Sequence, residues 1–187
     1  MADLLTIIFL FYTFISLYFI IGFTLIYIPN RRKFTFSPES TKNYTLSIVV
    51  PCFNEEKTIG KTIETLLNLD YKYLKKIILV DDRSTDSSYS IMKKYALRYP
   101  QVMAVQTPKN TGNAAGAKNY GAKFVDTPLI GFTDADSFPK KDSVSKMIGF
   151  FDDPKVGAVT ASVLVKQRNN LLELLQAVEY KIIGFTR

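Results

Sequence analysis

The chain has 187 residues, enough for one compact domain with a small appendage. Its 47% hydrophobic and 13% aromatic content excludes a disordered protein. Histidine is absent and Cys52 is the single cysteine, which excludes histidine-based zinc sites, Ser-His-Asp triads, Cys-His pairs and intrachain disulfides. The formal net charge is +7. The lysines are scattered and not interleaved with aromatics, so anionic small molecules and lipid are the expected partners and nucleic acid is not.

In chain order, residues 4–28 contain no charged side chain. A helix of that length reaches about 37 Å, more than the roughly 30 Å of a bilayer's hydrocarbon core. The leader lacks the basic start and small-residue exit of a signal peptide, so residues 1–30 are read as a retained transmembrane helix. Arg31, Arg32 and Lys33 follow at once. By the positive-inside tendency they put the body of the chain in the cytoplasm. Residues 31–44 read as a polar juxtamembrane linker and residues 45–187 as the folded domain.

That domain alternates. Short β-branched or apolar runs predict strands at residues 46–50, 77–80, 102–105, 129–133 and 156–165. Helical spacing predicts helices at 55–69, 85–99, 113–124, 142–151 and 171–185, with Ile91, Tyr95 and Leu97 facing inward on the second. Such alternation implies a mostly parallel sheet with helices on both faces, whose ligands bind beyond the carboxyl ends of the strands.

The polar clusters lie at those ends. Asp134 and Asp136 flank Ala135 just past the fourth strand, a spacing that lets both carboxylates face one cation. Oxygen ligation without histidine suits Mg²⁺ or Mn²⁺, although Asp is also a common turn former. Asp81 and Asp82 end the second strand, where one acid can accept from a nucleobase N–H or a ribose hydroxyl and the neighbouring Ser84 and Thr85 can cap a helix. Phosphoacceptor receiver domains also carry acids at strand ends. Pro51-Cys52-Phe53-Asn54-Glu55-Glu56 follows the first strand. Phe53 can stack on a base and Glu55 can hydrogen-bond to it; ordinary helix capping accounts for the same residues. Residues 110–121 are rich in Asn, Ala and Gly and include Lys118, a point charge for phosphate beside a helix N-terminus. They match neither a Walker A loop nor a dinucleotide-binding glycine motif.

The segments SIVVPCFNEE, ILVDDRSTD, NTGNAAGAKNYGA and IGFTDADSFP resemble the N-terminal half of inverting family 2 glycosyltransferases. Residues 156–180, VGAVTASVLVKQRNNLLELLQAVEY, look most like the membrane-bound processive branch, which includes hyaluronan, chitin, cellulose and poly-N-acetylglucosamine synthases. The resemblance implies a GT-A fold, a UDP-sugar donor, and a glycan or lipid acceptor at the membrane. It matches Asp134 and Asp136 to the metal-binding D-x-D, Asp134 also facing the donor nucleotide, and Asp81 or Asp82 to the uridine-contacting acid. Pro51, Cys52, Phe53 and Glu55 fall on the donor-base segment.

Departures from the family pattern are local. Residues 112–119 are one residue longer than the usual form, Asn113 stands where Lys is common, and Lys118 is left as the phosphate contact. Arg83 stands where Gly is usual. The family's catalytic base and its Gln-x-x-Arg-Trp acceptor motif are expected beyond Arg187, so the chain reads as an N-terminal part whose catalytic base is unassigned. Two alternatives stand beside this reading: a polyprenyl-phosphate sugar transferase, and a membrane-tethered nucleotide-binding domain without turnover.

Overall fold

Every residue of β1 (Leu46–Cys52) is buried, as a run of Ile, Val and Leu demands when both faces of a strand are covered. It lies between β2 (Leu74–Asp81) and β4 (Leu129–Phe132), and β3 (Val102–Gln106) lies outside β2. All pairs are parallel, giving the order β3-β2-β1-β4. The computed structural model describes residues 3–165 and 170–186.

Alternation along the strands sends side chains to two cores. Leu46, Ile48, Val50, Ile77 and Leu79 pack with Ile59, Ile63 and Leu66 of α2 (Ile59–Leu67) and Met92 of α3 (Ser88–Arg98). Val49, Ile78 and Val80 face the other way, onto Ala117 of α4 (Ala114–Ala122). α4 lies very close to the sheet because Gly121 has no side chain: a Cβ there would stand 2.5 Å from a Val49 methyl and 2.6 Å from a Val80 methyl. Helices on both faces of a parallel sheet are the architecture the alternation predicts.

Four details depart from expectation. Leu97 is 90% exposed, and Met92 is the fully buried apolar residue of α3. Five residues on from Met92, at about 100° per residue, Leu97 is turned roughly 140° away from the core. The strand expected at 156–165 carries no ladder; its composition favours extended structure, but a strand exists only by pairing. The helix expected over 142–151 is α5 (Ser143–Ile148) tightening into a 3₁₀ turn (Gly149–Asp152). There the chain passes so close that a Cβ on Gly149 would lie 2.0 Å from the Pro38 carbonyl oxygen. Finally, the N-terminal helix α1 (Leu4–Thr35) continues past Pro29 into the segment expected to be a linker.

The chain divides into two units, Pro38–Ala161, which holds the sheet, and Met1–Ser37 with Ser162–Arg187. The second contains α1 and α6 (Leu171–Thr186). Residues Leu4–Pro29 of α1 are long and apolar enough to cross a membrane, with mean hydropathy 2.5 and exposed apolar side chains along their length.

Candidate active site

The strand order reverses direction between β1 and β4, and an α/β sheet opens a crevice past its strand ends at such a point. The β1–β4 ladder closes at Val49↔Phe132, before Pro51, which has no N–H to contribute. A cleft of about 410 Å³ lies there. Its walls include Pro51, Cys52, Phe53 and Glu55 from the end of β1, Asp82 from the end of β2, and Asp134, Ala135 and Asp136 beyond β4. Asn110, Gly112, Asn113, Ala114 and Ala117 complete it.

The two acidic pairs sit in opposite environments. Asp81 is fully buried: its carboxylate accepts from Gln106 Nε2 at 2.8 Å and, more loosely, from the Ser84 N–H. Asp82 is 4% exposed and accepts from Thr107 Oγ1 at 2.8 Å, Thr111 Oγ1 at 2.7 Å and the Thr111 N–H at 3.0 Å. Its own carbonyl receives Asn110 Nδ2 at 2.8 Å. Asp82 therefore ties the loop between β3 and α4 to the end of β2 while presenting one edge to the cleft. Asp81 is not among the cleft walls.

Asp134 and Asp136, by contrast, are exposed, and the buried Ala135 between them turns both toward the cleft. Lys118 Nζ lies 3.0 Å from Asp134 Oδ1, their side chains 30% and 61% exposed. Lys118 thus reaches the cleft through Asp134 and is not one of its walls. No cluster of three or more metal-ligating side chains occurs among the described residues. Two carboxylates alone could hold a hard cation only if phosphate and water supplied its remaining ligands, and one of these two is ion-paired with Lys118.

The turn after β1 is laced to the turn after β2. Asn54 adopts φ 56°, accepts the Thr85 N–H at 2.8 Å and donates its own N–H to Ser84 Oγ at 3.0 Å. The Glu55 N–H donates to Ser88 Oγ at 2.8 Å, and Glu55 Oε2 accepts from Thr58 Oγ1 at 2.7 Å. Phe53 is half exposed over the cleft. Burial pushes the Cys52 thiol up to about 12, so Cys52 is a neutral wall residue and no nucleophile.

Arg83 has φ 65°, the left-handed region in which glycine is at ease. Its guanidinium offsets the strain by donating to the Pro108 carbonyl at 2.6 Å and to Gln106 Oε1 at 3.1 Å. The sequence reading missed Gln106, Thr107 and Thr111 as partners of the acids. Their signal was weak, since Thr and Gln at a strand end look like any solvated turn. It also missed Thr62, whose Oγ1 donates to the Ala135 carbonyl at 2.7 Å from 73 residues away.

The parallel sheet with helices on both faces and a crevice past its strand ends is a fold of the GT-A kind. The chain belongs to glycosyl transferase family 2, whose family model matches residues 47–186. It is 30% identical over 182 residues to the poly-beta-1,6-N-acetyl-D-glucosamine synthase of Staphylococcus aureus (strain COL), covering 94% of this chain and 43% of that protein. It is 33% identical over 118 residues to the minor teichoic acid biosynthesis protein GgaB of Bacillus subtilis (strain 168), covering 63% of this chain and 13% of that one. The chain thus spans less than half the length of these curated relatives.

Among solved structures, the fold is shared with the mannosyltransferase PcManGT of Pyrobaculum calidifontis in complex with GDP-Man and Mn²⁺, with TM-score 0.62, 24% identity, 83% of this chain and 46% of that one. It is also shared with S. aureus TarS 1-349 in complex with UDP-GlcNAc, with TM-score 0.53, 24% identity, 66% of this chain and 38% of that one.

Proposed function

We propose that the cleft binds a nucleoside-diphosphate sugar, with UDP as the nucleotide, together with a divalent cation at Asp134 and Asp136. In this reading the chain carries the donor side of an inverting, membrane-anchored glycosyltransferase of polysaccharide or glycolipid synthesis. The observation that carries the proposal is convergence. Pro51, Cys52, Phe53, Glu55, Asp82, Asp134 and Asp136 come from three strand ends far apart in sequence and line one cleft.

Each wall has a part in this reading. Phe53 stacks against the base, with Glu55 at its edge, and Asp82 accepts from the base or ribose at the deep end. Asp134 and Asp136 hold Mg²⁺ or Mn²⁺, which when bound supplies Lewis-acid neutralisation of the departing diphosphate. Lys118, paired with Asp134, adds a positive charge beside the phosphates. Asp81 acts indirectly, through Gln106 and the turn at Ser84. The acceptor is a glycan or lipid hydroxyl. α1 crosses the membrane with Arg31, Arg32 and Lys33 on the cytoplasmic side, which holds the cleft where nucleotide sugars are made.

Calorimetry on the full chain in detergent micelles tests the donor site. UDP is titrated with Mn²⁺, with Mg²⁺ and with EDTA. Tighter binding with either cation supports the site, and equal affinity in EDTA refutes the cation's role. A tag after Arg187 that is labelled only in permeabilised cells supports the orientation, and one labelled in intact cells reverses it.

A further inference from the structure

We propose that Thr62, on α2, is the positioning residue of the Asp134–Asp136 pair; the inference rests on the donor-site reading above. Thr62 is fully buried, and nothing in its own sequence surroundings marks it as functional. Its hydroxyl has a single proton and two carbonyls within reach: Thr58 in the preceding turn at 3.3 Å and Ala135 at 2.7 Å. The shorter contact takes the proton, so the hydroxyl is committed across the fold to Ala135 and not to its own helix.

Ala135 is the residue between the two acids. The backbone after β4 is fixed at two places, the Thr133 N–H on the Val49 carbonyl at 3.3 Å and the Ala135 carbonyl on Thr62. With the Ala135 side chain and carbonyl both held inward, the neighbouring residues on either side are turned out to the cleft. The Ser137 N–H then closes back on the Asp134 carbonyl at 3.1 Å. Remove the Thr62 proton and the Ala135 carbonyl loses its buried donor. The peptide is then free to rotate, and both carboxylates move with it.

The full chain in micelles is compared with Thr62→Val, which keeps the shape and removes the donor, and with Thr62→Ser, which keeps the donor. Two readouts are taken on folded protein: amide hydrogen exchange at residues 134–137, with β2 amides as the internal reference, and the gain in UDP affinity on adding Mn²⁺. Thr62→Val is expected to speed exchange at 134–137 about tenfold with β2 unchanged. It is also expected to reduce the Mn²⁺-dependent gain about three- to tenfold, leaving UDP affinity in EDTA as it was. Thr62→Ser is expected to match the wild type in both. If Thr62→Val does not fold, Thr62→Cys, with a weaker donor of similar size, replaces it and is expected to shift both readouts in the same direction.

Unchanged exchange at 134–137 in the folded donor-free variant overturns the inference, as does a Thr62→Ser variant as impaired as Thr62→Val. Wild-type UDP affinity that ignores Mn²⁺ removes the cation reading instead, and the exchange comparison still decides the role of Thr62.

Discussion

Two pairs of aspartates end two strands of the same sheet, and they have been given opposite surroundings. Asp81 and Asp82 are buried and held by Gln106, Ser84, Thr107 and Thr111, with only one edge of Asp82 left toward the cleft. Asp134 and Asp136 are exposed, and one lysine is the only ion-pair partner found for them among the described residues. A buried carboxylate is tolerable only when donors surround it, and donors that surround it also fix the chain segments they come from. An exposed carboxylate keeps its lone pairs free for a ligand. One pair therefore builds the cleft, and the other is available within it.

The comparison breaks most visibly at Asp82. Asp82→Ala leaves Thr107 Oγ1, Thr111 Oγ1 and the Thr111 N–H without their acceptor, and a loss of about 3 kcal/mol in urea unfolding is expected. A loss under about 0.5 kcal/mol, the range of ordinary surface changes, would mean that the loop is held by something else.

Asp136→Asn should behave in the opposite way. Unfolding stability should stay within about 0.5 kcal/mol of wild type. The Mn²⁺-dependent gain in UDP affinity should fall by about ten- to a hundredfold in calorimetry, the range for a lost charge-assisted contact.

Lys118→Met sharpens the contrast by freeing Asp134. Mn²⁺ binding without nucleotide, followed by electron paramagnetic resonance, should tighten about two- to fivefold, the worth of a half-exposed ion pair. Weaker Mn²⁺ binding in this variant would make Lys118 a support for the site and not a counter-ion.

Asp152 supplies the smallest effect and an intermediate case, a half-buried acid with donors. The Thr41 N–H at 2.7 Å, with the Thr41 and Ser40 hydroxyls, holds its carboxyl below the usual carboxylate range. A folded-state pKa below the unfolded one means the contribution is complete above the unfolded value and is lost as pH falls through the folded value. Asp152→Asn should therefore flatten a small part of the acid limb of a stability-against-pH curve, and leave neutral-pH UDP binding alone.

Much of this was legible in residue order. Four of the five expected strands, their parallel pairing, the two-faced helical cover and the placing of the polar clusters at strand ends followed from β-branched runs alternating with helical spacing. What failed has one physical source. Leu97 was assigned inward by counting apolar residues, but the start of α3 at Ser88 set the phase, and Met92 took the core position. Residues 156–165 have the composition of a strand, and composition cannot supply the neighbour that a ladder needs. The departure at Arg83 was visible as a missing glycine, but its compensation by Gln106 and Pro108 was not.

The sequence by itself determined which residues can bury, which can ligate and where along the chain they stand, because hydrophobic period and side-chain chemistry are local properties. It therefore sufficed for the α/β class, the apolar helix Leu4–Pro29 and the placing of acids at the strand ends beside the cleft. Only the tertiary structure decided which acids are buried among donors and which are exposed. That depends on donors 25 to 29 residues away for Asp82 and on a hydroxyl 73 residues away for the peptide between Asp134 and Asp136. A hydrogen bond constrains distance and angle, not separation along the chain, so its partner is chosen only when the sheet has brought the strand ends together.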